Sequence, residues 1–284
     1  MSEDKLIRFQ IFRYHLLPIE SKYYQTNMFQ DKPMSYKEIR ERKNDFFNEA
    51  LLRMIDQNGG SNPLKVEIIE DNYFVFKVAQ KKKTTITKNF ENRQEDTEPY
   101  CFVIINNDPN VQKIAISYNS DAFSEPSTVK NILIKKLVKY LTSLGLNIEI
   151  KPLYNEIKFW EIIRKYEKEI TRINFNFVKP NLAQISKSLP EAFKDFVNET
   201  NSHESNIIIK APKKGVLENI TPQNSDVQGL VQYTSEGAGS IKVKVKGYRK
   251  VIKTKQVPVT KEIRELEIEG SAEQVIKLYK DIVD

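Results

Sequence analysis

The chain has 284 residues, with 45 Lys and Arg against 38 Asp and Glu, a net charge of +7 and 39% apolar residues. This composition suits a folded protein of one large or two ordinary domains and excludes a disordered one. A single Cys, Cys101, excludes a disulfide framework and fits a reducing compartment. No apolar run nears the ~20 residues that span a bilayer, and the opening MSEDKLIRFQ has no signal-peptide core. A cytoplasmic protein without membrane insertion is expected.

Residues 6–16 read as a strand through Ile7, Phe9, Ile11, Phe12 and Tyr14. Ser35 with Glu38 forms a capping-box pattern ahead of a helix whose Ile39, Phe46, Phe47, Ala50, Leu51, Met54 and Ile55 recur at helical spacing. Asn58-Gly59-Gly60 ends it. Strands follow at 64–69 and 73–79 about a tight turn at 70–72. A run of lysines and a polar segment near residue 95 then read as a loop. Two more strands, 100–105 and 111–117, flank a turn with Asp108, Pro109 and Asn110. Pro126 opens a helix to Leu144 with Gly145 as its C′ residue, and 148–150 is a short strand.

The second half opens with a helix over 155–166, where Trp160 sits among Ile157, Phe159, Ile163 and Tyr166 as a core anchor. Clean alternation of Ile173, Phe175 and Phe177 makes 170–178 a half-buried strand. A helix near 190–198, a strand at 206–210 and loops over 211–240 follow, with Gly237 and Gly239 in a flexible turn. Then come a basic hairpin at 241–255, a strand at 262–269 and a helix at 272–282. The pattern is an α+β fold of mixed or antiparallel sheets with a few packing helices, in two lobes, 1–153 and 154–284.

No phosphate-binding G-x-x-x-x-G-K-[ST], no G-x-G-x-x-G and no G-x-S-x-G occurs. His15, His203 and Cys101 are scattered too widely to suggest a zinc site, so no metal or cofactor is expected. One enzymatic pattern survives. Glu149 and Lys151 make an acid-x-Lys pair on a strand, as in Mg²⁺-dependent nucleases, with Asp71 or Asp108 as a further metal ligand. The same residues also read as the solvated face of an amphipathic strand.

Residues 241–255 hold seven basic residues and no acidic one. Lys242, Lys244 and Lys246 alternate with Ile241, Val243 and Val245, which puts the three ammoniums on one strand face. A two-residue type II′ turn at Gly247-Tyr248 would set Lys246 opposite Arg249, Lys244 opposite Val251 and Lys242 opposite Lys253. Crowded like charges are destabilising, and a row of phosphates relieves them. Tyr248 at the tip stacks on a ligand or covers the turn, and Lys250 and Lys255 extend the basic run. Lys81, Lys82 and Lys83, near Lys88, form a second patch. Against this stands an acidic-faced strand, Glu265, Glu267 and Glu269, which paired beside the ribbon would neutralise it. Exposed lysines also guard strand edges.

The succession NYFVFKVAQKKKTTITKNF, a charged loop, PYCFVIINNDPN, a helix, NIEIKPLY and SNIIIKAPK resembles the RexA exclusion family of lambdoid phages in the order and character of its strands, over roughly residues 45–215. The basic hairpin lies outside that stretch. The resemblance implies a cytoplasmic, homodimeric, two-lobed protein that binds DNA with little regard to sequence. It would act in phage exclusion as a sensor, passing its signal to a membrane-protein or effector partner encoded nearby. The expected function is therefore non-enzymatic contact with double-stranded DNA. A Mg²⁺-dependent nuclease and a protein-interaction sensor of phage or host proteins are the alternatives.

Overall fold

The computed structural model describes residues 6–19, 34–56, 59–178, 199–200, 202–237, 239–253, 258–265 and 272–284. The expected helix at 190–198, Lys255, Glu267 and Glu269 lie outside them. The fold is α+β, with mostly antiparallel strands, in two units: 1–150 with 260–284, and 151–259.

The first unit is built on a sheet of β1 (Leu6–Pro18), β2 (Leu64–Glu70), β3 (Tyr73–Ala79), β6 (Tyr100–Asn106), β7 (Lys113–Ser117), β8 (Leu146–Pro152) and β13 (Thr260–Arg264). Its order is β13-β1-β7-β6-β3-β2, with β8 also paired to β1. Helices α1 (Tyr36–Glu41), α2 (Lys43–Asp56) and α3 (Pro126–Ser143) cover one face. There Phe47, Leu51, Leu133 and Leu137 meet Phe12, Phe76 and Val103 in one core. The opposite face is covered by α6 (Ala272–Val283), whose Tyr279 ring lies 6.4 Å from that of Phe102. Burial on both faces explains why β6 is apolar without a break from Cys101 to Ile105, where a half-exposed strand would alternate.

Local signals act as expected at the helix starts. The Ser35 hydroxyl accepts from the Glu38 N–H, and the Glu38 carboxylate accepts in return from the Ser35 N–H. Pro126 occupies the first turn of α3. The expected single helix over 36–55 is two, parted at Arg42.

Besides the expected loop over 211–240, which holds a helix at Ser225–Glu236 started by the Asn224 side-chain cap, two expectations need correction here. The polar segment near residue 95 is β5 (Glu91–Thr97), paired with β4 (Lys82–Lys88) in a separate two-stranded ribbon. Lys83 stands opposite Asp96, and the hydroxyls of Thr84 and Thr97 are 3.0 Å apart. Cross-strand pairing holds this ribbon where no apolar period announces it. The second correction concerns the chain beyond 259, which the sequence pattern places in the later lobe. It returns to the first unit, because β13 pairs antiparallel with β1, Ile263 opposite Ile7.

The second unit carries α4 (Ile157–Lys165), β9 (Ile170–Val178), β10 (Glu204–Lys210), α5 (Ser225–Glu236), β11 (Ser240–Val245) and β12 (Ile252–Lys253). Its sheet runs β10-β9-β11-β12. Ile173, Phe175 and Phe177 point inward with Val243 and Val245, onto Phe159 and Ile163 of α4 and Val231 and Tyr233 of α5. Trp160 is packed edge-on to Phe159 at 4.8 Å, as a core anchor would be. No described helix is long and apolar enough to cross a membrane.

Candidate nucleic-acid interface

The helices α4 and α5 take one face of the second sheet, and strand alternation turns the remaining side chains to the other. Register then decides which of them are neighbours. Arg172 on the central strand β9 pairs with Lys210 of β10 on one side and Lys244 of β11 on the other. One step along, Asn174 lies between Ile208 and Lys242, and Lys242 faces Lys253 of β12. A further step brings Asn176 beside Asn206, joined by an amide hydrogen bond of 3.1 Å. With strands ~4.8 Å apart, five cations from four strands share the face turned away from the helices, Lys210 and Lys253 exposed and Arg172, Lys242 and Lys244 half-buried.

Neighbouring unit charges at that spacing repel by about 1 kcal/mol even at the dielectric of water. Among the described residues, Arg172, Lys210, Lys242 and Lys253 have no carboxylate within ion-pair distance. Of the three glutamates of the expected acidic strand only Glu265 is described, and it follows β13 in the first unit. No aromatic ring stands among these outward positions of β9–β12. These positions offer cations, amides and the half-exposed Ile208, and no ring on which a base could stack.

The hairpin tip departs from the expected geometry. Lys242 does face Lys253, as the sequence predicts. But the Tyr248 N–H donates to the Val245 carbonyl at 3.3 Å, and Gly247 has φ +79°. Positive φ at the third turn residue is the type II arrangement, not type II′. The hairpin ladder stops at Val243–Ile252, and the expected pairs Lys244–Val251 and Lys246–Arg249 do not form. Instead the Lys244 ammonium turns back onto the carbonyls of Tyr248 and Arg249. Lys246, Arg249 and Lys250 are exposed at the tip. Tyr248 covers the end of α4: its ring lies 5.4 Å from that of Tyr166, edge-on.

In the second lysine patch the Lys82 ammonium donates to the Asp121 carbonyl at 2.7 Å and Lys83 stands opposite Asp96 across the ribbon, while Lys81 is exposed.

The residues of the nuclease alternative are not gathered. Asp71 sits in the β2–β3 turn at φ 50°. Asp108 uses its carboxylate to accept from the Asn110 N–H at 2.7 Å. Lys151 is ion-paired to Glu204 at 2.8 Å. Among the described residues, neither Asp71 nor Asp108 belongs to a group able to hold a metal ion, so neither completes a site with Glu149. His15 is buried, as is Cys101, whose thiol is pushed up to about 11 by burial.

Sequence reasoning missed Arg172 and Lys210. Alternation on 170–178 already turned Arg172 outward, but nothing local placed β9 between β10 and β11. No known family model matches this chain, and no curated protein matches it.

Proposed function

We propose that the open face of the second unit's sheet grips the phosphate backbone of double-stranded DNA in the cytoplasm, without sequence preference and without catalysing a reaction. The observation that carries this is the register row Lys210–Arg172–Lys244 with Lys242–Lys253 beside it. These are cations from non-adjacent chain segments, brought to one face and left without carboxylates among the described residues. Each phosphate they neutralise releases condensed counterions, a driving force indifferent to base sequence. The lack of aromatic side chains on the face favours duplex backbone over single strands, whose binding relies on stacking. The resemblance to the RexA exclusion family supports a setting in phage exclusion, with the DNA-bound state signalled to an effector or membrane-protein partner.

A salt titration of duplex binding tests this. The full chain should bind unrelated duplexes alike at low salt. The combined variant Arg172→Ala, Lys210→Ala, Lys242→Ala and Lys253→Ala should bind more weakly. Its log–log salt slope should be shallower by ~0.9 for each phosphate no longer neutralised. Alanines at Lys81, Lys82 and Lys83 should change little. Absence of binding at low salt, or a combined variant indistinguishable from the parent, overturns the proposal.

A further inference from the structure

Strand β10, Glu204–Lys210, is the edge of its sheet, and among the described residues no strand pairs with its outer side. The Ala211 N–H donates to the Thr171 carbonyl at 2.9 Å, in the register that pairs Lys210 with Arg172. Alternation along an antiparallel ladder then directs the N–H and C=O of Glu204, Asn206, Ile208 and Lys210 away from β9. That edge bears no proline and no bulge. The other sheet's edge strand, β2, does carry a register shift, between Val66 and Ile68, a device that discourages edge pairing. Ile208 is 50% exposed on β10.

The charge order of the strand says what fits. Laid antiparallel on a second copy of itself about Ile207, β10 sets Glu204, whose carboxylate also holds Lys151 at 2.8 Å, opposite Lys210 at both ends and Asn206 opposite Ile208. In that register the outward-directed backbone groups meet each other, as a ladder requires. Ile207, half-buried on the helix-side face, meets its own copy at the two-fold axis. Shifting the strands by two residues in either direction breaks both charge pairs.

We infer that the chain forms a homodimer by antiparallel pairing of β10 with β10 of a second copy, in the register that sets Glu204 opposite Lys210. The contact is isologous, as a two-fold dimer needs, and closes both free edges at once. A two-fold axis normal to the sheet leaves both open faces on the same side. If the open face binds DNA as proposed, the two basic rows then form one continuous surface.

The test is the mass of the full chain in solution without DNA, by sedimentation velocity over a concentration series. The parent should sediment as a dimer. Glu204→Lys and Lys210→Glu, each alone, set like charges opposite at both ends and should weaken the dimer on the order of tenfold or more. Mixed together, a copy with lysine at both ends of β10 meets a copy with glutamate at both ends. Opposite charges then face each other again, so the mixture should regain the parent's mass. A variant that fails to fold could not be rescued this way. A monomeric parent, single variants as dimeric as the parent, or a mixture no more dimeric than its components overturns the inference. A monomer that binds DNA overturns the edge alone, and a dimer that ignores DNA overturns the face alone.

Discussion

The Lys244 ammonium donates to the main-chain carbonyl of Arg249 at 2.9 Å, and to that of Tyr248 as well. Lysines alternating on a strand look interchangeable, yet this one closes the loop that follows it. The loop leaves the ladder after Val245, so its carbonyls need partners other than a facing strand. Lys244→Met keeps the stem and removes the donors. It should cost about 1 kcal/mol of stability, whereas Lys242→Met should stay within about 0.5 kcal/mol of the parent. Urea midpoints of the two variants provide the comparison, and equal shifts would refute this division of labour.

Gly239 joins α5 to β11, where the sequence suggests only a flexible turn. Its N–H donates to the Thr234 carbonyl at 2.8 Å. A Cβ there would sit 2.3 Å from the Asn176 carbonyl oxygen, 2.9 Å from the Thr234 methyl and 3.1 Å from the Phe177 Cα. Two of these are backbone atoms of β9, the strand that carries Arg172. Gly239→Ala must therefore push β9 away from the helix or the adjoining strand, at a cost of about 3 kcal/mol. Gly247→Ala meets nothing in space and is strained only by its φ of +79°, costing about 1 kcal/mol. Thermal midpoints should rank Gly239→Ala well below Gly247→Ala, and the reverse order would disprove the close approach.

What was legible in the sequence was local. Period-two alternation put Lys242 and Lys244 on one face and set Lys242 against Lys253, because side-chain direction and hairpin register depend on a few adjacent residues. The Ser35–Glu38 cap and Pro126 were readable for the same reason. What stayed hidden was the order of strands. Lys210 and Lys244 both flank Arg172, a relationship between three distant segments that no window contains. The return of β13 to β1 is of the same kind. The β4–β5 ribbon escaped for a different reason: its strands are polar on both faces, so there was no apolar period to detect. Its turn is made by Asn89 and Phe90 at φ +54° and +62°, a conformation usually announced by glycine.

Lys43, at the start of α2, provides a pH signature for the first unit. It is 8% exposed, and burial first, then the charge of Arg40, lowers its ammonium pKa to about 8. In the unfolded chain a lysine titrates near 10.4. Below about pH 8 both states hold the proton, and folding bears the full cost of burying the charge. Between about pH 8 and 10 the unfolded state binds more protons, so stability rises with pH as the folded lysine becomes neutral. Lys43→Met removes the buried charge and this dependence together. The variant should be more stable than the parent at pH 7, by on the order of 2 kcal/mol. The gap should narrow steadily up to pH 10. Buried or hydrogen-bonded tyrosines such as Tyr73, raised to about 12, act in the opposite direction only above that range and equally in both proteins. Urea midpoints at pH 7, 8, 9 and 10 decide it: a constant gap, or a parent more stable than Lys43→Met at pH 7, would show that Lys43 is not held against its charge.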